Sequence, residues 1–328
     1  MAANPLLAVP GMAAQLDRVD ATLRAAVASE DELMAQMGAH LITAGGKRAR
    51  PLFSMAAAGC LADDAEGALA AITDDVVLGG VSVELVQVGS LCHDDVIDEA
   101  ETRRGTQSVN ARWGNLKAIL AGDFLLAKAS EIAAGLGTEV AGLLAATIGR
   151  LCEGEVHELR TVYDAGRTEE SYLTAIAGKT AALFATACRI GGIVGGLPRD
   201  RIDDLTEFGQ RYGMAFQIVD DVLDVVGTEA QLGKPAGLDL TEGIYNLPVL
   251  RALEAPEGDE LRTMLGGPLH GDELARAREL VRASGGVEAS IDVARRYVEE
   301  AAKALAPFGE RPIPDALAAT AHHLLAGL

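Results

Sequence analysis

The sequence predicts an all-α protein, and three observations indicate this class. Hydrophobic residues make up 49% of the chain but aromatic residues only 4%, and the surplus is mostly alanine, leucine and valine. Such a composition favours helices and supplies ample material for a core. Segments of helix length carry apolar residues at helical spacing, with glycine and proline between them. We find no alternating strand pattern and no βαβ rhythm, so a helical bundle is expected.

The first half of the chain divides at recognisable signals. Residues 12–44 carry an apolar stripe at helical spacing and are expected to be helical. After the loop GGKRAR, Pro51 is placed to open the next helix, 51–61. Residues 67–98 are apolar and periodic, and we expect a long helix that ends in an acidic motif. The polar segment 99–113 is expected to be a loop.

The second half continues the helical pattern. Helices are expected over the segments 116–135, 139–160, 169–194, 201–226, 246–254, 272–284, 286–305 and 314–326. The glycine-rich polar segment 227–245 is expected to be a loop. No Pro/Ser-rich linker or low-complexity tract divides the 328 residues, so a single domain over residues 1–328 is expected.

The strongly acidic balance limits the possible partners. The formal net charge is -20. It argues against nucleic acid, whose phosphates need a basic surface, and against an anionic membrane surface. The few basic residues that cluster therefore carry information.

Cysteine usage and hydropathy indicate a compartment. The four cysteines, with no CxxC pair and no Cys/His ligand spacing, are expected to be buried free thiols in a reducing environment: Cys60, Cys92, Cys152 and Cys188. The N-terminus lacks the pattern of a signal peptide. No run reaches about 18 uninterrupted apolar residues. We therefore expect a soluble cytoplasmic protein without a transmembrane segment.

Two aspartate motifs share one spacing. They lie within LCHDDVIDEAETRRG and FQIVDDVLDVVG, and their aspartates are Asp94, Asp95, Asp98, Asp220, Asp221 and Asp224. Residues four apart in a helix lie one turn above each other, so Asp94 and Asp98 project from the same face. Such close carboxylates repel unless water or a cation neutralises them, and Mg²⁺ prefers oxygen ligands. A solvated acidic helix end is the alternative for one such motif, but the repetition favours a metal site.

A basic loop, GGKRARP at 45–51, stands out in this acidic chain. Lys47, Arg48 and Arg50 crowd beside two glycines that allow the backbone to approach a ligand. Their groups suit a phosphate or diphosphate, and a solvated basic turn is the alternative. These motifs can act together in one site. Metal ions bound to the carboxylates would neutralise one diphosphate as it leaves, and the basic residues would hold a second diphosphate. The apolar helices would enclose a dry cavity.

With these motifs the chain resembles the trans-isoprenyl diphosphate synthases, which include farnesyl, geranylgeranyl and longer polyprenyl diphosphate synthases. The resemblance covers about residues 40–250 and rests on GGKRARP, the first aspartate motif with RRG, GNLKAILAGDFLLAKA, GKT at 178–180, FQIVDDVLD and GKPAGLDLTEG. It implies an isoprenoid synthase-type bundle around a central cavity and a homodimer. It also implies a Mg²⁺-dependent head-to-tail condensation of isopentenyl diphosphate with an allylic diphosphate.

The resemblance implies a role for each matched residue. Several Mg²⁺ ions would be bound by Asp94, Asp98 and Asp220, with Asp95, Asp221 and Asp224 nearby. Isopentenyl diphosphate would be held by Lys47, Arg50, Gln87 and Arg104. The allylic diphosphate would be held by Arg103, Lys179 and Lys234. The developing cation and its leaving group would be lined by Lys179, Thr180, Gln217 and Lys234.

Departures from the family pattern are also visible. Relatives often carry lysine and threonine in an EGKxTLP pattern, where this chain has EGIYNLP with Ile244 and Asn246. The lysine that relatives place near the diphosphate is thus missing, and Lys234 would supply more of the positive charge that balances the diphosphate. Where relatives often have GExxQ, this chain has Glu155 and Glu158.

Product length depends on the floor of the elongation pocket. In the family, an aromatic residue five positions before the first aspartate stops growth early. Here that position is Gly89, and Ser90 and Val86 nearby are also small to medium. An open shaft predicts a product of C30 to C50. The alternative is a glycine placed for close helix packing, because glycine within a helix costs about 1 kcal/mol.

Parts of the pattern also fit other functions. A shorter-chain farnesyl or geranylgeranyl synthase, a class I terpene cyclase and an inactive subunit of a heteromeric synthase are the alternatives. The second DDxxD and the basic loop disfavour the cyclase, and two intact motifs disfavour the subunit. We expect a packing role for His93, a loop anchor in Trp113 and a buried hydrogen-bonding acid in Asp123.

Overall fold

The computed structural model describes residues 4–228, 236–256 and 258–328. The helices of the first part are α1 (Met12–Ala26), α2 (Glu32–Thr43), α3 (Ala49–Gly59), α4 (Ala65–Ala70), α5 (Asp74–Ile97), α6 (Val109–Trp113) and α7 (Asn115–Gly135). Those of the second part are α8 (Thr138–Leu159), α9 (Glu169–Ile176), α10 (Ala182–Val194), α11 (Arg199–Val226), α12 (Leu238–Glu242), α13 (Leu247–Leu253), α14 (Gly258–Met264), α15 (Gly271–Ala283), α16 (Gly286–Ala304) and α17 (Pro312–His323).

Shorter elements complete the chain. A π-helical turn, Ala177–Ala181, joins α9 to α10 without a break. Short 3₁₀ turns occur at Pro5–Ala8, Ala306–Phe308 and Leu324–Gly327. Strands β1 (Thr102–Arg103) and β2 (Thr106–Gln107) form a two-stranded antiparallel hairpin. The all-α prediction is confirmed.

Several predicted boundaries were wrong because polar N-caps begin new helices within segments that apolar periodicity alone runs together. The segment 12–44 is two helices, since the Asp31 side chain accepts a hydrogen bond from Met34 N and starts α2. The segment 67–98 is also two helices, because Thr73 caps α5 in the same way. The predicted loop 99–113 contains the hairpin and α6.

The later loops also hold helices that were not predicted. The described part of 227–245 includes α12, and α14 lies in a segment without a predicted helix. Both are short, five and seven residues, and such lengths carry too few apolar positions to show a helical period.

The two helices that carry the aspartate motifs lie on either side of α10. Helix α5 packs on α1, α3, α7 and α10, while α11 packs on α10 and α16. Backbones approach closely at glycine, since a Cβ on Gly209 of α11 would lie 2.7 Å from Phe184 O of α10. Helix α10 therefore sets the spacing between the two motifs.

Two apolar helical segments are long enough to cross a membrane by length and composition, Asp74–Ile97 and Glu169–Val194. Their apolar windows are 72% and 67% buried inside the protein, as expected of core helices. The burial of Cys60, Cys92 and Cys188 agrees with the prediction, but Cys152 is exposed.

Three residues near the first aspartate motif, Asp123, His93 and Trp113, were also given roles from the sequence. The side chain of Asp123 is 63% exposed, so the prediction of a buried acid was wrong. His93 packs against Gly122 of α7 and lies 3.4 Å from Asp123. Trp113 packs on the main hydrophobic cluster and meets the ring of His40 edge-on, at 5.0 Å between centroids.

Candidate active site

The RRG sequence forms the turn of the hairpin and sends two neighbouring arginines in different directions. Arg104 and Gly105 have φ of 54° and 74°, as a two-residue hairpin turn requires. Arg103 donates from Nε to Asp95 Oδ1 at 2.7 Å. Arg104 donates to the carbonyls of Leu41 and Gly45 at 2.9 and 2.6 Å. The hairpin therefore ties the first aspartate motif to the basic loop.

The first aspartate motif occupies the last turn of α5. Asp94 is half-buried, and burial raises its pKa to about 7, although Lys179 acts in the opposite direction. Asp98 caps the helix, and burial raises its pKa too. Asp95 is fully buried and paired with Arg103, so it is placed to orient that arginine. Its metal role remains a prediction.

The second aspartate motif lies near the end of α11. Asp220 is exposed, whereas Asp221 and Asp224 are buried. Asp221 accepts hydrogen bonds from the Tyr172 hydroxyl at 2.5 Å and from Gln217 Nε2 at 2.8 Å. Burial raises the pKa of Asp221 to about 7. Asp224 accepts from the backbone N–H of Asp239 at 3.3 Å, which holds the start of α12 against this helix.

The GKT sequence lies on the π-helical turn between the two motifs. Lys179 Nζ is 2.8 Å from Glu155 Oε2 and 2.6 Å from Glu158 Oε2. Thr180 donates from its hydroxyl to Gln217 Oε1 at 2.7 Å. A π turn adds one residue to a helical turn and is frequent at functional sites. Here it aims Lys179 at α8 and Thr180 at α11.

Glycines bring α8 and the π turn together. A Cβ on Gly154 would lie 2.5 Å from Lys179 N, and one on Gly178 would lie 2.8 Å from Arg150 O. Only glycine at both positions permits this contact between backbones. The spacing places Glu155 and Glu158, one and four residues after Gly154, beside Lys179.

These elements surround one cavity of about 380 Å³. It is lined by Asp98, Glu99, Ala100, Glu101, Thr102, Arg103, Glu158, Tyr172, Ile176, Lys179, Gln217, Asp221, Leu238, Asp239, Glu242, Ile244 and Asn246. Both aspartate motifs contribute, so the two acidic regions face a shared space as the sequence predicted. Acidic side chains outnumber basic ones seven to two among these residues.

The predicted isopentenyl diphosphate residues lie on the basic loop, at the start of α3, on α5 and in the hairpin turn. Arg50 lies 4.4 Å from the centroid of the Phe184 ring, and its Nε is buried without a hydrogen-bond partner within the described chain. Burial lowers the pKa of Arg50 to about 10. Gln87 is half-buried, Lys47 is exposed, and Arg104 is half-buried.

Glu84 was missed by the sequence analysis. It is 2% exposed and lies one turn before Gln87 on α5. Its carboxylate is 3.1 Å from Arg48 and 3.6 Å from Arg104. Arg48 also pairs with Asp20 at 2.8 Å, so it is a structural centre of the basic loop instead of a group offered to a ligand. The available signal was a single acid within an otherwise apolar helical run.

The sequence profile of the polyprenyl synthetase family matches residues 31–281. The nonaprenyl diphosphate synthase of Mycobacterium tuberculosis is 38% identical over 307 residues, covering 92% of this chain and 89% of that protein. Component 2 of the heptaprenyl diphosphate synthase of Geobacillus stearothermophilus is 38% identical over 287 residues, covering 87% of each. A polyprenyl synthase structure from Caulobacter crescentus, complexed with calcium and isoprenyl diphosphate, matches with a TM-score of 0.88 at 32% identity, covering 98% and 97% of the two chains.

The chain belongs to the polyprenyl synthetase family. The predicted family is thereby confirmed, together with the isoprenoid synthase-type fold and the class of enzyme, a polyprenyl diphosphate synthase.

In this polyprenyl synthetase the predicted chain-length residues do not line the cavity described above. A Cβ on Gly89 would lie 3.1 Å from Gly122 O and 3.4 Å from Leu125 Cβ, so Gly89 allows close packing of α5 on α7, the alternative that the sequence left open. Val86 is fully buried in the core. Ser90 is half-buried and donates to the carbonyl of Gln87 at 3.0 Å. The chain-length role of these residues remains a prediction.

The departures from the family pattern lie in the cavity wall. Ile244, Asn246 and Glu158 all line it. Asn246 donates from Nδ2 to Asp239 Oδ2 at 3.0 Å, and Glu158 pairs with Lys179. The predicted role of Lys234 falls outside the described residues.

Proposed function

We propose that this protein condenses isopentenyl diphosphate with an allylic diphosphate, head to tail and with Mg²⁺, to make an all-trans polyprenyl diphosphate of C30 to C50. The observation that carries the proposal is the cavity shared by the two aspartate motifs, with Lys179 on its wall. Two arginines, Arg50 and Arg104, lie separately near Glu84. One region suits a departing diphosphate, and the other suits a second diphosphate that stays bound.

The electrostatics of the cavity support divalent cations as part of the substrate complex. An excess of carboxylates repels a diphosphate unless cations balance the charge. The donors are all oxygens, which suits Mg²⁺. Within the residues described, no group of three or more His, Cys, Asp or Glu side chains lies close enough to hold a metal ion. Mg²⁺ fits this arrangement, since it is often bound by one or two carboxylates plus substrate phosphates.

We assign Asp94, Asp98 and Asp220 as the direct metal ligands. Asp95, Asp221 and Asp224 lie deeper and hold neighbouring groups, and we propose that they orient this set. When bound, Mg²⁺ neutralises the charge that develops on the leaving diphosphate. The related Caulobacter crescentus structure contains calcium and isoprenyl diphosphate, which supports a divalent ion here.

The side chains around the reacting carbon have distinct tasks. Heterolysis of the allylic C–O bond leaves a carbocation and a diphosphate. Lys179 stabilises the diphosphate charge from a fixed position. The Thr180 hydroxyl and the Gln217 amide stabilise positive charge, because the hydrogen bond between them fixes their oxygens. Arg103, oriented by Asp95, holds the same diphosphate.

The acceptor substrate is anchored separately. We propose that Arg50, Arg104, Lys47 and Gln87 bind isopentenyl diphosphate, so that its alkene attacks the cation from a held position. A proton is then lost to the departing diphosphate. The apolar helices exclude water, which would quench the cation.

An elongation assay tests the function and its alternatives. Purified protein would be incubated with MgCl₂, isopentenyl diphosphate and C10, C15 or C20 allylic primers, and the products would be sized by mass spectrometry. Products of C30 to C50 are expected. A product that stops at C15 or C20 would identify a short-chain synthase, a cyclic hydrocarbon formed from a primer alone would identify a cyclase, and no elongation from any primer would support an inactive subunit.

Ser90 offers a test of product length. It lies three residues after Gln87 and four before Asp94, so all three lie near one face of α5. A Ser90→Phe variant is expected to shorten the product, with Ser90→Ala as the matched control that leaves it unchanged. Unaltered length in Ser90→Phe would remove this face of α5 from length control.

We propose that the molecule is a cytoplasmic homodimer formed of single-domain chains. Support comes from α7, where Leu116, Leu120 and Ile119 are 81%, 54% and 40% exposed, an apolar surface of the kind that marks an interface. The Geobacillus stearothermophilus relative is named as one component of its synthase, so a different partner is the alternative. Leu120→Glu is expected to turn a dimer into a monomer in light scattering after size exclusion. A monomeric parent protein would instead favour a second type of subunit.

A further inference from the structure

Arg167 is a buried cation in the loop between α8 and α9, outside every motif assigned above. Its side chain is 1% exposed. It donates from one terminal nitrogen to the carbonyl of Tyr245 at 3.2 Å, and its Nε has no hydrogen-bond partner within the described chain. Burying a guanidinium is unfavourable unless nearby charges compensate it. The groups that compensate the charge of Arg167 therefore indicate the role of this residue.

Arg167 contacts two helices of the site, α8 through Glu158 and α9 through Tyr172. Its second terminal nitrogen lies 3.9 Å from Glu158 Oε1, while Glu158 Oε2 holds Lys179 at 2.6 Å. Its guanidinium carbon also lies 5.5 Å from the centroid of the Tyr172 ring, and the Tyr172 hydroxyl binds Asp221. The guanidinium of Arg167 thus contacts both Glu158, which holds Lys179, and Tyr172, which holds Asp221.

The third contact reaches the cavity wall. Tyr245, whose carbonyl accepts from Arg167, lies between Ile244 and Asn246, both of which line the cavity. Arg167 therefore touches α8, α9 and the segment before α13 at once. A cation at the meeting point of three walls can fix their relative positions even though the guanidinium itself is not among the lining residues.

We propose that Arg167 is a positioning residue that shares the charge of Glu158, so that Lys179 stays available to the allylic diphosphate, and that steadies Tyr172 beneath Asp221. Without this guanidinium, the Glu158 carboxylate would pair more strongly with Lys179 and withdraw it from the substrate. The inference rests on the proposed function. It concerns the allylic half of the site only, because the contacts of Arg167 described above are with Glu158, Tyr172 and Tyr245, which support the allylic residues.

The experiment compares Arg167→Met with Arg167→Lys in steady-state kinetics with farnesyl diphosphate and isopentenyl diphosphate. Arg167→Met is expected to raise the KM for farnesyl diphosphate at least tenfold and to leave the KM for isopentenyl diphosphate within twofold. Arg167→Lys is expected to recover most of the loss. Calorimetric binding of unreactive farnesyl thiodiphosphate with MgCl₂ should weaken by the same factor, which measures the effect without turnover.

Arg262→Met is the matched control. Arg262 donates to the Ala165 carbonyl in the same loop at 3.4 Å and to the Leu253 carbonyl at 3.3 Å, but it does not line the cavity. Both KM values should stay within twofold in this variant. If Arg167→Met behaved like Arg262→Met, or if it changed the two KM values equally, the proposal would be overturned.

A second background separates positioning from folding. Arg167→Gln, which keeps hydrogen-bonding groups but removes the charge, should raise the KM for farnesyl diphosphate at least tenfold in the parent protein. Added to Glu158→Gln, it should change this KM by less than twofold, because the charge that Arg167 balances is gone. Full additivity of the two substitutions would overturn the proposal, and this comparison stands even if Arg167→Met does not fold. Failure of the parent protein to elongate any primer would overturn the proposed function, whereas an active parent with unaffected Arg167 variants would overturn only this inference.

Discussion

Replacing Asp94 with asparagine should stabilise the protein while it abolishes turnover. The substitution keeps the shape of the side chain and removes a charge that the metal-free fold holds at a cost. Burial raises the pKa of Asp94 from 3.8 to about 7. At about 1.4 kcal/mol per pKa unit, this shift sets a ceiling of ~4 kcal/mol on the gain. Because the Asp94 side chain is only half-buried, solvent screening reduces the expected gain to about 1–2 kcal/mol.

The direction in which pH changes the stability of the parent protein follows from proton binding. Because the folded pKa is higher than the unfolded one, the folded parent binds more protons between pH 4 and about 7, and its stability falls as the pH rises through that window. Asp94→Asn lacks this dependence. The gain should therefore be full at pH 8 and smaller at pH 5.

The assay is urea unfolding in EDTA, followed by circular dichroism at pH 8 and pH 5, beside an elongation assay with MgCl₂. Asp17→Asn, on the exposed face of α1, is the matched control and should change neither measurement. Equal or lower stability of Asp94→Asn at pH 8, or the same difference at both pH values, would refute the electrostatic argument. Retained turnover would remove Asp94 from the metal role.

Three further predictions concern the π-helical turn. Lys179→Met should lower kcat by about 10²- to 10³-fold, because a fixed cation for the leaving diphosphate is lost; a change below tenfold in rapid-quench kinetics would contradict this. Gly154→Ala should reduce the free energy of unfolding by about 1–3 kcal/mol, because its Cβ would lie 2.5 Å from Lys179 N. Gly149→Ala, with open space at its Cβ, should instead be neutral or slightly stabilising, and equal effects of the two alanines on urea unfolding would contradict the packing argument. Thr180→Val should lower kcat about tenfold with an unchanged melting temperature, and full activity would exclude Thr180 from the reaction.

The chemistry of this protein could be predicted from its sequence because it depends on which residue types stand at short, regular spacings. The two DDxxD motifs, the basic loop and GKT identify carboxylates, arginines and a lysine without knowledge of how helices pack. Helical periodicity likewise places Gln87 and Asp94 on one face of α5. These inferences need only local geometry, which is the same in every helix.

Which partners those residues have was decided by tertiary structure. Asp95 and Asp98 are three positions apart, yet one is buried against Arg103 and the other lines the cavity. Arg48 belongs to the same basic loop as Arg50, but Asp20 and Glu84 bind it. Arg167 is far from every motif in sequence and still contacts the supports of Lys179 and Asp221. Such pairings depend on burial and on distances between helices, which spacing along the chain does not contain.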